Sequence, residues 1–296
     1  MTEPNWRSIF PGTAFRWQMS LRPGNLAAFF APSVQAAAVL AERRHWLTES
    51  PARYTAALPE AGPAVREAAD ALCGALGIAG LQTAGPPDEI LRAVGAAAEP
   101  DWVLLLPENG AHRLVAGCLC FPSHWDLREK LGRPVVEIHE PVHGLNDALA
   151  TRIETFLSRV VPGADWQREN WGLSPNGALN RHPALHPPAL TAASDGHSTW
   201  LRLESQLFSR LPHSGALLFG IRVRLFPLHE LLADPVVADG FRTALESMPE
   251  PMAAYKGIAA ARHSLLRLTT DAQADGAEDL SRRAQKVSRD PRSFPR

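Results

Sequence analysis

Two histidines and a glutamate lie close together in the segment HEPVH, residues 139–143, which has the H-E-x-x-H spacing of zinc proteases. That spacing binds zinc only on an α-helix, where both imidazoles reach one ion and the glutamate acts as general base. Pro141 lies between the histidines and would disrupt such a helix at a cost of about 3 kcal/mol. The β-branched VVEI before it predicts a strand, so we expect His139 at a strand end and His143 in a turn. His139 therefore needs an explanation other than a zinc protease.

The three cysteines, Cys73, Cys118 and Cys120, lack the C-x-x-C pairs of zinc and iron–sulfur sites. Their odd number also argues against a disulfide framework, and reduced thiols are typical of the cytoplasm. Alternation along an apolar strand puts Cys118 and Cys120 on one face. Two interpretations are open for this pair: a thiolate ligand of an iron centre, or small buried side chains, which is the commoner role of free cysteine.

The charge balance limits the classes of partner. A formal net charge of −1 over 296 residues gives no overall basic field, which argues against a nucleic-acid or anionic-membrane binder. The first residues lack an export signal, and no apolar run is long enough to span a membrane. We therefore expect a soluble, cytoplasmic protein.

The candidate residues must be positioned by helices and strands, and the sequence predicts both. Helical periodicity is found over 26–47, with a break at Pro32, and over 63–76, 146–163, 236–248 and 252–268. Short β-biased segments are DWVLLLP, HRLVAGCLCFPS and RPVVEIH. After a polar loop over 174–198, TWLRLESQLFSRLP leads into a long strand, GALLFGIRVRLFPL.

This order of elements predicts an α+β fold in which helices from both ends wrap an antiparallel sheet. Alternation in the last strand puts Arg222 and Arg224 on one face. We expect an N-terminal segment (1–25), a single domain (26–270) and a disordered tail (271–296). The sequence lacks dinucleotide-binding, P-loop and nucleophile-elbow motifs.

Several separated segments resemble one family when they are taken together. They are FPSHWDLREKLGRPVVEIHEPVHGLN, QRENWGL, LRLESQLFSRLPHSGALLFGIRVRLFPL and MAAYKGI, in this order between residues 15 and 258. They resemble the haem-dependent oxidative N-demethylase family, the haem-bearing subunits of dimethylamine monooxygenase-type enzymes. The resemblance implies that residues 26–270 form a haem b domain with an antiparallel PAS-like sheet core, in which a histidine holds the iron.

His139 occupies the position of the family's EIH histidine, so the resemblance implies that it ligates the haem iron. Its other ring nitrogen then needs a hydrogen-bond acceptor, for which Glu137, Glu140 or a backbone carbonyl is available. His143 stands where the family pattern has proline, and we expect an exposed turn residue there. The alternative for His139 is a histidine hydrogen-bonded within the core.

Other matching positions imply roles around the haem. Basic side chains suit haem propionates, and the candidates are Lys130, Arg168, Arg202 and Arg210. Trp125 and Trp171 are candidates for pocket walls, with ordinary core packing as the alternative. Asn170 and Tyr255 also match the pattern.

Glu204 and Gln206 are candidates for the catalytic site, because a strand would put both on one face. Glu204 would offer a carboxylate to a cationic amine, or it would pair with a structural arginine; both interpretations are open. Ser205 stands where an arginine is common in the family. If that arginine contacts the substrate, a propionate or a partner subunit, this protein differs in substrate or partner.

The resemblance implies an oxidoreductase, a monooxygenase that uses dioxygen to oxidise an N-methyl group of a small secondary amine such as dimethylamine, releasing formaldehyde. Electrons would come from a flavin and iron–sulfur reductase subunit, and a tetrahydrofolate-using subunit would take up the formaldehyde. Three alternatives are a non-catalytic haem-binding or sensor protein with a PAS-like fold, a paralogue that has lost haem, and a zinc hydrolase.

Overall fold

One mixed sheet-and-helix architecture is seen in the computed structural model, which describes residues 4–81 and 83–270. Its centre is a seven-stranded sheet in the order β1-β5-β6-β7-β3-β4-β2, with every neighbouring pair antiparallel. The strands are β1 (Arg22–Pro23), β2 (Thr55–Ala57), β3 (Asp101–Glu108), β4 (Ala111–Cys118), β5 (Trp166–Ser174), β6 (Trp200–Arg210) and β7 (Leu217–Pro227). The α+β class with an antiparallel sheet is confirmed, whereas the predicted disordered tail lies outside the described residues.

Helices precede, interrupt and follow the sheet. Those before β3 are α1 (Trp6–Ile9), α2 (Leu26–Phe30), α3 (Ala36–Glu49), α4 (Pro51–Tyr54), α5 (Gly62–Leu76) and α6 (Pro87–Ala97). Those after β4 are α7 (Leu127–Lys130), α8 (Val135–Ile138), α9 (Leu145–Arg159), α10 (Leu228–Leu232), α11 (Pro235–Ser247), α12 (Glu250–Tyr255) and a helical stretch over 262–270. Short 3-10 turns occur at Pro59–Ala61, Pro183–Leu185 and Ala259–Ala261. No helix within 4–81 or 83–270 is long and apolar enough to cross a membrane.

Most of the predicted helices are confirmed, with differences at their ends. The helix over 26–47 divides at Pro32 into α2 and α3, and α9 ends at Arg159 rather than at Gly163. The prediction of a single helix over 252–268 is wrong, because α12 ends at Tyr255 and the next helical stretch begins at residue 262. Gly257 follows with φ +67°, a left-handed conformation that ends helices.

The strand predicted for RPVVEIH is also wrong. After Pro134, residues Val135–Ile138 form one helical turn, α8, and His139 is its C-cap rather than a strand end. Val135 is buried, and the Ile138 N–H donates to the Pro134 carbonyl at 3.1 Å. The β preference of branched residues is therefore overridden by tertiary packing. His143 is exposed in the turn that follows, as expected.

Strand alternation divides the side chains of the sheet between two faces. The cavity face carries Arg168, Glu204, Gln206 and Phe208, and packs through an apolar cluster against α8 and α9. The helix face carries Ser205 and Leu207 and is covered by two clusters: one with α2, α3, α5 and α6, and one with α1 and α10–α12. Arg222 and Arg224 share the helix face, as predicted, but Arg222 is only 1% exposed.

Candidate functional site

A cavity of about 1340 Å³ is lined by residues from both faces of the sheet. It reaches both faces at the β5 edge, because β1 pairs with only Trp166 and Gln167 and leaves the rest of β5 unpaired on that side. The predicted site residues that line it are Trp125, Lys130, His139, Arg168, Asn170, Trp171, Arg202, Glu204, Gln206 and Tyr255. Most of the predicted set is thus brought to one place.

His139 lines the wall that faces the sheet. Burial lowers its pKa to about 4, and the charges of Arg168 and Lys130 act in the same direction, so the imidazole is neutral at physiological pH. Its Nδ1 is buried without a hydrogen-bond partner among the described residues. The expected bond to Glu137 or Glu140 is not formed, and both carboxylates are exposed. A neutral imidazole with an unused nitrogen is the form that ligates a metal.

Glu204 is the centre of a polar group on the cavity face. The register pairs it with Asn170 of β5, whose Nδ2 donates to Glu204 Oε2 at 3.4 Å, and Gln206 Nε2 donates to the same oxygen at 3.1 Å. Ser123 Oγ donates to Oε1. Glu204 and Gln206 share a face, as predicted. Within the described ranges Glu204 forms no direct ion pair with an arginine, so the structural-arginine interpretation of this carboxylate is not supported.

All three guanidinium nitrogens of Arg202 donate hydrogen bonds to protein oxygens. Its Nε donates to Ser123 Oγ at 2.7 Å, its Nη1 to the Leu179 carbonyl at 2.8 Å and its Nη2 to the Phe121 carbonyl at 2.6 Å. These bonds hold the segment after β4, which carries Ser123, against β6. The propionate role suggested for Arg202 does not fit these contacts.

Arg210 lies away from the cavity lining. Its guanidinium donates to the carbonyls of Leu157, Val160 and Gly215. The first two belong to the end of α9 and the residue after it, where helix carbonyls lack intrahelical partners. Arg210 therefore caps a helix, and its suggested propionate role is not supported either.

Arg168 and Lys130 are the basic candidates that remain toward the cavity. Arg168 Nε is buried without a partner, and no carboxylate among the described residues forms an ion pair with this guanidinium. Burial lowers its pKa, and Glu204 partly offsets that effect. A buried cation without a counter-ion favours an anionic group in the cavity.

The two tryptophans differ in position. Trp125 packs against the apolar cluster of the cavity face. Trp171 follows Asn170 directly in β5, so its side chain points to the opposite, helix face of the sheet. Its ring centroid is 5.1 Å from that of Phe10. The wall role is therefore favoured for Trp125, whereas Trp171 is a core residue that reaches the cavity at the edge of β5.

Lys256 was not singled out from the sequence, although it lies in the MAAYKGI segment. It lines the cavity, donates to the Trp171 carbonyl at 2.5 Å, and lies 5.0 Å from the Trp171 ring centroid. Burial lowers its pKa to about 8, with Glu204 opposing the shift and Arg168 adding to it. The adjacent Tyr255 has a raised pKa, from burial and from Glu204. Both residues therefore lie close to Glu204.

The buried thiols belong to the core rather than to the cavity. Cys118 pairs with Trp102 across β3 and β4, and Arg43 Nη2 donates to its sulfur at 3.4 Å. Cys120 is equally buried, and neither cysteine lines the cavity. The thiolate-ligand interpretation is not supported. In the part of the chain that the structure describes, no three His, Cys, Asp or Glu side chains are grouped to hold a metal ion, which leaves the zinc interpretation unsupported as well.

An antiparallel sheet thus faces a partly buried, neutral histidine across a large cavity, an arrangement that is typical of a ligand-binding protein. The sequence assigns that protein to a family. Residues 77–266, more than half of the chain, match the family described as haem-dependent oxidative N-demethylase, alpha subunit-like, and the protein belongs to this family. The resemblance to this family is confirmed, and the description indicates haem dependence and an enzyme of more than one kind of subunit.

Proposed function

We propose that the cavity binds haem b through His139 and that the protein oxidises an N-methyl group of a small secondary amine, dimethylamine or a close analogue. The observation that carries this proposal is His139, a partly buried, neutral imidazole on the wall opposite Glu204, whose Nδ1 has no hydrogen-bond partner among the described residues. We further propose that the sheet core is PAS-like.

The residues present fit a haem group. The cavity exceeds the roughly 300–1,000 Å³ of ordinary small-molecule sites. His139 supplies a neutral nitrogen donor, and the unpaired Arg168 and nearby Lys130 would hold the propionates. Val103, Ile153 and Phe208 give apolar walls on the same side of the sheet. When bound, haem would supply the capacity to activate dioxygen, which the side chains lack.

The chain's own residues would bind and orient the amine. A protonated secondary amine carries one positive charge and two N–H donors, which match the carboxylate oxygens of Glu204. Ser123, Asn170 and Gln206 donate to this carboxylate and fix its direction. Lys256 would hold a proton close to Glu204, because its ammonium has a pKa of about 8. Enclosure by α8, α9 and the N-terminal segment would exclude bulk water.

The family description supports only an enzyme of more than one kind of subunit, and the particular partners belong to this proposal. Oxidative N-demethylation by dioxygen needs two electrons from outside the chain, and a flavin and iron–sulfur reductase subunit would supply them. The formaldehyde released would be taken up by a tetrahydrofolate-using subunit. A non-catalytic haem sensor is the alternative, and turnover of dimethylamine to formaldehyde with a chemical reductant separates the two.

The test is absorbance spectroscopy of protein purified with haem supplementation, in ferric, ferrous and ferrous–CO forms. We expect a Soret band of imidazole type that His139→Ala abolishes or rearranges. His143→Ala is the matched control, because His143 is exposed in the same turn. A folded wild type without a Soret band, or a spectrum that His139→Ala leaves unchanged, would contradict the proposal.

A further inference from the structure

A second polar region lies on the helix face, between the two apolar clusters that cover it. The register places Glu169, Ser205 and Arg222 in one row across β5, β6 and β7, and Arg224 lies one pair further along. Arg22 reaches the same region from β1. All five residues line the cavity. We name this region the Arg224 recess.

Two of the three guanidinium groups in the recess already have carboxylate partners. Arg222 Nη1 lies 2.7 Å from Glu99 Oε1, and its Nη2 donates to the carbonyls of Phe29 and Ala31 at 2.7 and 2.9 Å. Arg22 Nη2 donates to Glu169 Oε1 at 2.8 Å. Each of these cations is therefore neutralised within the fold.

Both carboxylates are used in these contacts. Glu169 Oε2 also accepts from Ser205 Oγ at 2.7 Å, so the serine hydroxyl proton is committed to Glu169. Glu99 accepts from Ser33 through Oε1 and Oε2. Neither carboxylate has an oxygen that is free of a donor.

Arg224 is the arginine of the recess that has no carboxylate partner among the described residues. Its only hydrogen bond among the described residues is a long one, 3.4 Å from Nη2 to Ser205 Oγ, and its Nε is buried without a partner. Its guanidinium carbon is 5.7 Å from the Phe226 ring centroid, so an aromatic ring rather than a carboxylate is beside it. When Glu99, the partner of Arg222 outside the recess, is counted with Glu169, the three arginines outnumber the carboxylates by one.

We propose that the Arg224 recess is a binding site for an oxyanion, and specifically for the carboxylate of a small molecule. One surplus positive charge is balanced by one monoanion, and a guanidinium fork matches the two oxygens of a carboxylate. Phosphate shares this chemistry but brings more charge than the recess offers. The site is on the face opposite Glu204 and His139, so it does not depend on haem or on amine oxidation.

The test is a titration of the full-length protein with sodium acetate, inorganic phosphate and sodium chloride at matched ionic strength, followed by NMR of arginine Nε–H signals. We expect acetate to shift the Arg224 signal saturably and phosphate to do so more weakly. Arg224→Gln should weaken acetate binding about tenfold or more. Arg242→Gln, on the outer surface of α11, is the matched control and should leave binding unchanged.

Three outcomes would overturn the proposal. Chloride that is as effective as acetate would show screening rather than a site. Tighter binding of phosphate than of acetate would reject the carboxylate assignment. Unchanged acetate affinity in Arg224→Gln would show that the anion binds elsewhere.

A second measurement uses the wild type alone, in case Arg224→Gln does not fold. Phenylglyoxal modifies accessible guanidinium groups, and peptide mapping reads the rate at each arginine. Acetate is expected to slow modification of Arg224 severalfold while the rate at Arg242 stays constant. Equal rates at Arg224 with and without acetate would contradict the proposal.

Discussion

Arg202 and Glu204 lie two residues apart on the cavity face of β6, yet no ion pair joins them, because the Ser123 hydroxyl stands between them. Ser123 Oγ accepts from Arg202 Nε at 2.7 Å and donates to Glu204. The carboxylate is thus held in place by neutral donors, and no salt bridge to an arginine occupies it among the described residues. This relay is the structural basis of the amine-binding role proposed for Glu204.

Replacing Glu204 with glutamine should separate amine binding from haem binding. Glu204→Gln keeps the size of the side chain but removes the charge, and loss of a charge-assisted hydrogen bond costs about 1.5–3 kcal/mol. We expect KM for dimethylamine to rise about tenfold or more while the Soret band is unchanged. Thr155→Ala, on the exposed side of α9, serves as control. An unchanged KM would remove Glu204 from the substrate site.

Gly172 offers a test of which part of the cavity the ligand fills. It pairs with Arg202 on the cavity face, and a Cβ added there meets no atom within 4 Å. Gly172→Val should leave stability unchanged or raise it by up to about 1 kcal/mol, because glycine weakens a strand. We expect haem content or amine turnover to fall, since the side chain enters the cavity. Normal content and turnover would show that this corner holds no ligand.

Gly117 is the matched contrast for that experiment. A Cβ there would lie 2.6 Å from Val103 Cγ1 and 2.9 Å from the Trp102 carbonyl oxygen. Gly117→Val should therefore lower the free energy of unfolding by about 1–3 kcal/mol. Urea denaturation of both variants compares a glycine that leaves space with one that is required by close packing.

The lowered pKa of Lys256 predicts a pH dependence of stability. Its pKa is 10.5 in the unfolded chain and about 8 in the fold, so between these values the unfolded state binds more protons. The destabilising contribution of Lys256 to the free energy of unfolding therefore has its full size below pH 8, and it disappears as the pH rises toward 10.5. Relative to Lys256→Met, the wild type should gain on the order of 3 kcal/mol between about pH 7 and pH 10. Urea denaturation at both pH values measures the difference, and a constant difference would show that the ammonium is solvated.

The Arg43–Asp101 ion pair should be essential for the segment that carries Ser123. Both side chains are fully buried with Nη1 and Oδ1 2.5 Å apart, and Asp101 also accepts from the backbone N–H groups of Cys120 and Phe121. Asp101→Ala leaves a buried charge unpaired and should cost about 3–5 kcal/mol, measured by urea denaturation. It should also expose the Cys120 thiol to labelling. Asp239→Ala, which breaks the partly exposed pair with Arg242, should cost no more than about 1 kcal/mol.

Sequence patterns predicted the structure correctly where local backbone geometry alone decides the outcome. The alternation in β7 correctly placed Arg222 and Arg224 on one face, and the break at Pro32 follows from the geometry of proline. The sequence also brought Glu204 and Gln206 together, because a two-residue spacing on a strand has a single outcome. These predictions depend only on local geometry.

Tertiary contacts decided the features that were not predicted. The β-branched VVEI forms a helical turn because Val135 is buried under the sheet, and no local preference reveals that. Arg202 and Arg210 match the family pattern, but their bonds to distant carbonyls are invisible in the sequence. Lys256 had no signal of its own, because its environment comes from β5 and from the neighbouring Glu204.

The alternation along β6 has a consequence for how this chain can vary. Glu204 and Gln206 face one ligand region while Ser205 between them faces the other. Substitutions at these positions alter one region at a time. The deletion or insertion of one residue in β6 would instead exchange the two faces, burying Ser205 where Glu204 belongs. We therefore expect related proteins to tolerate replacements in this strand but no change in its length.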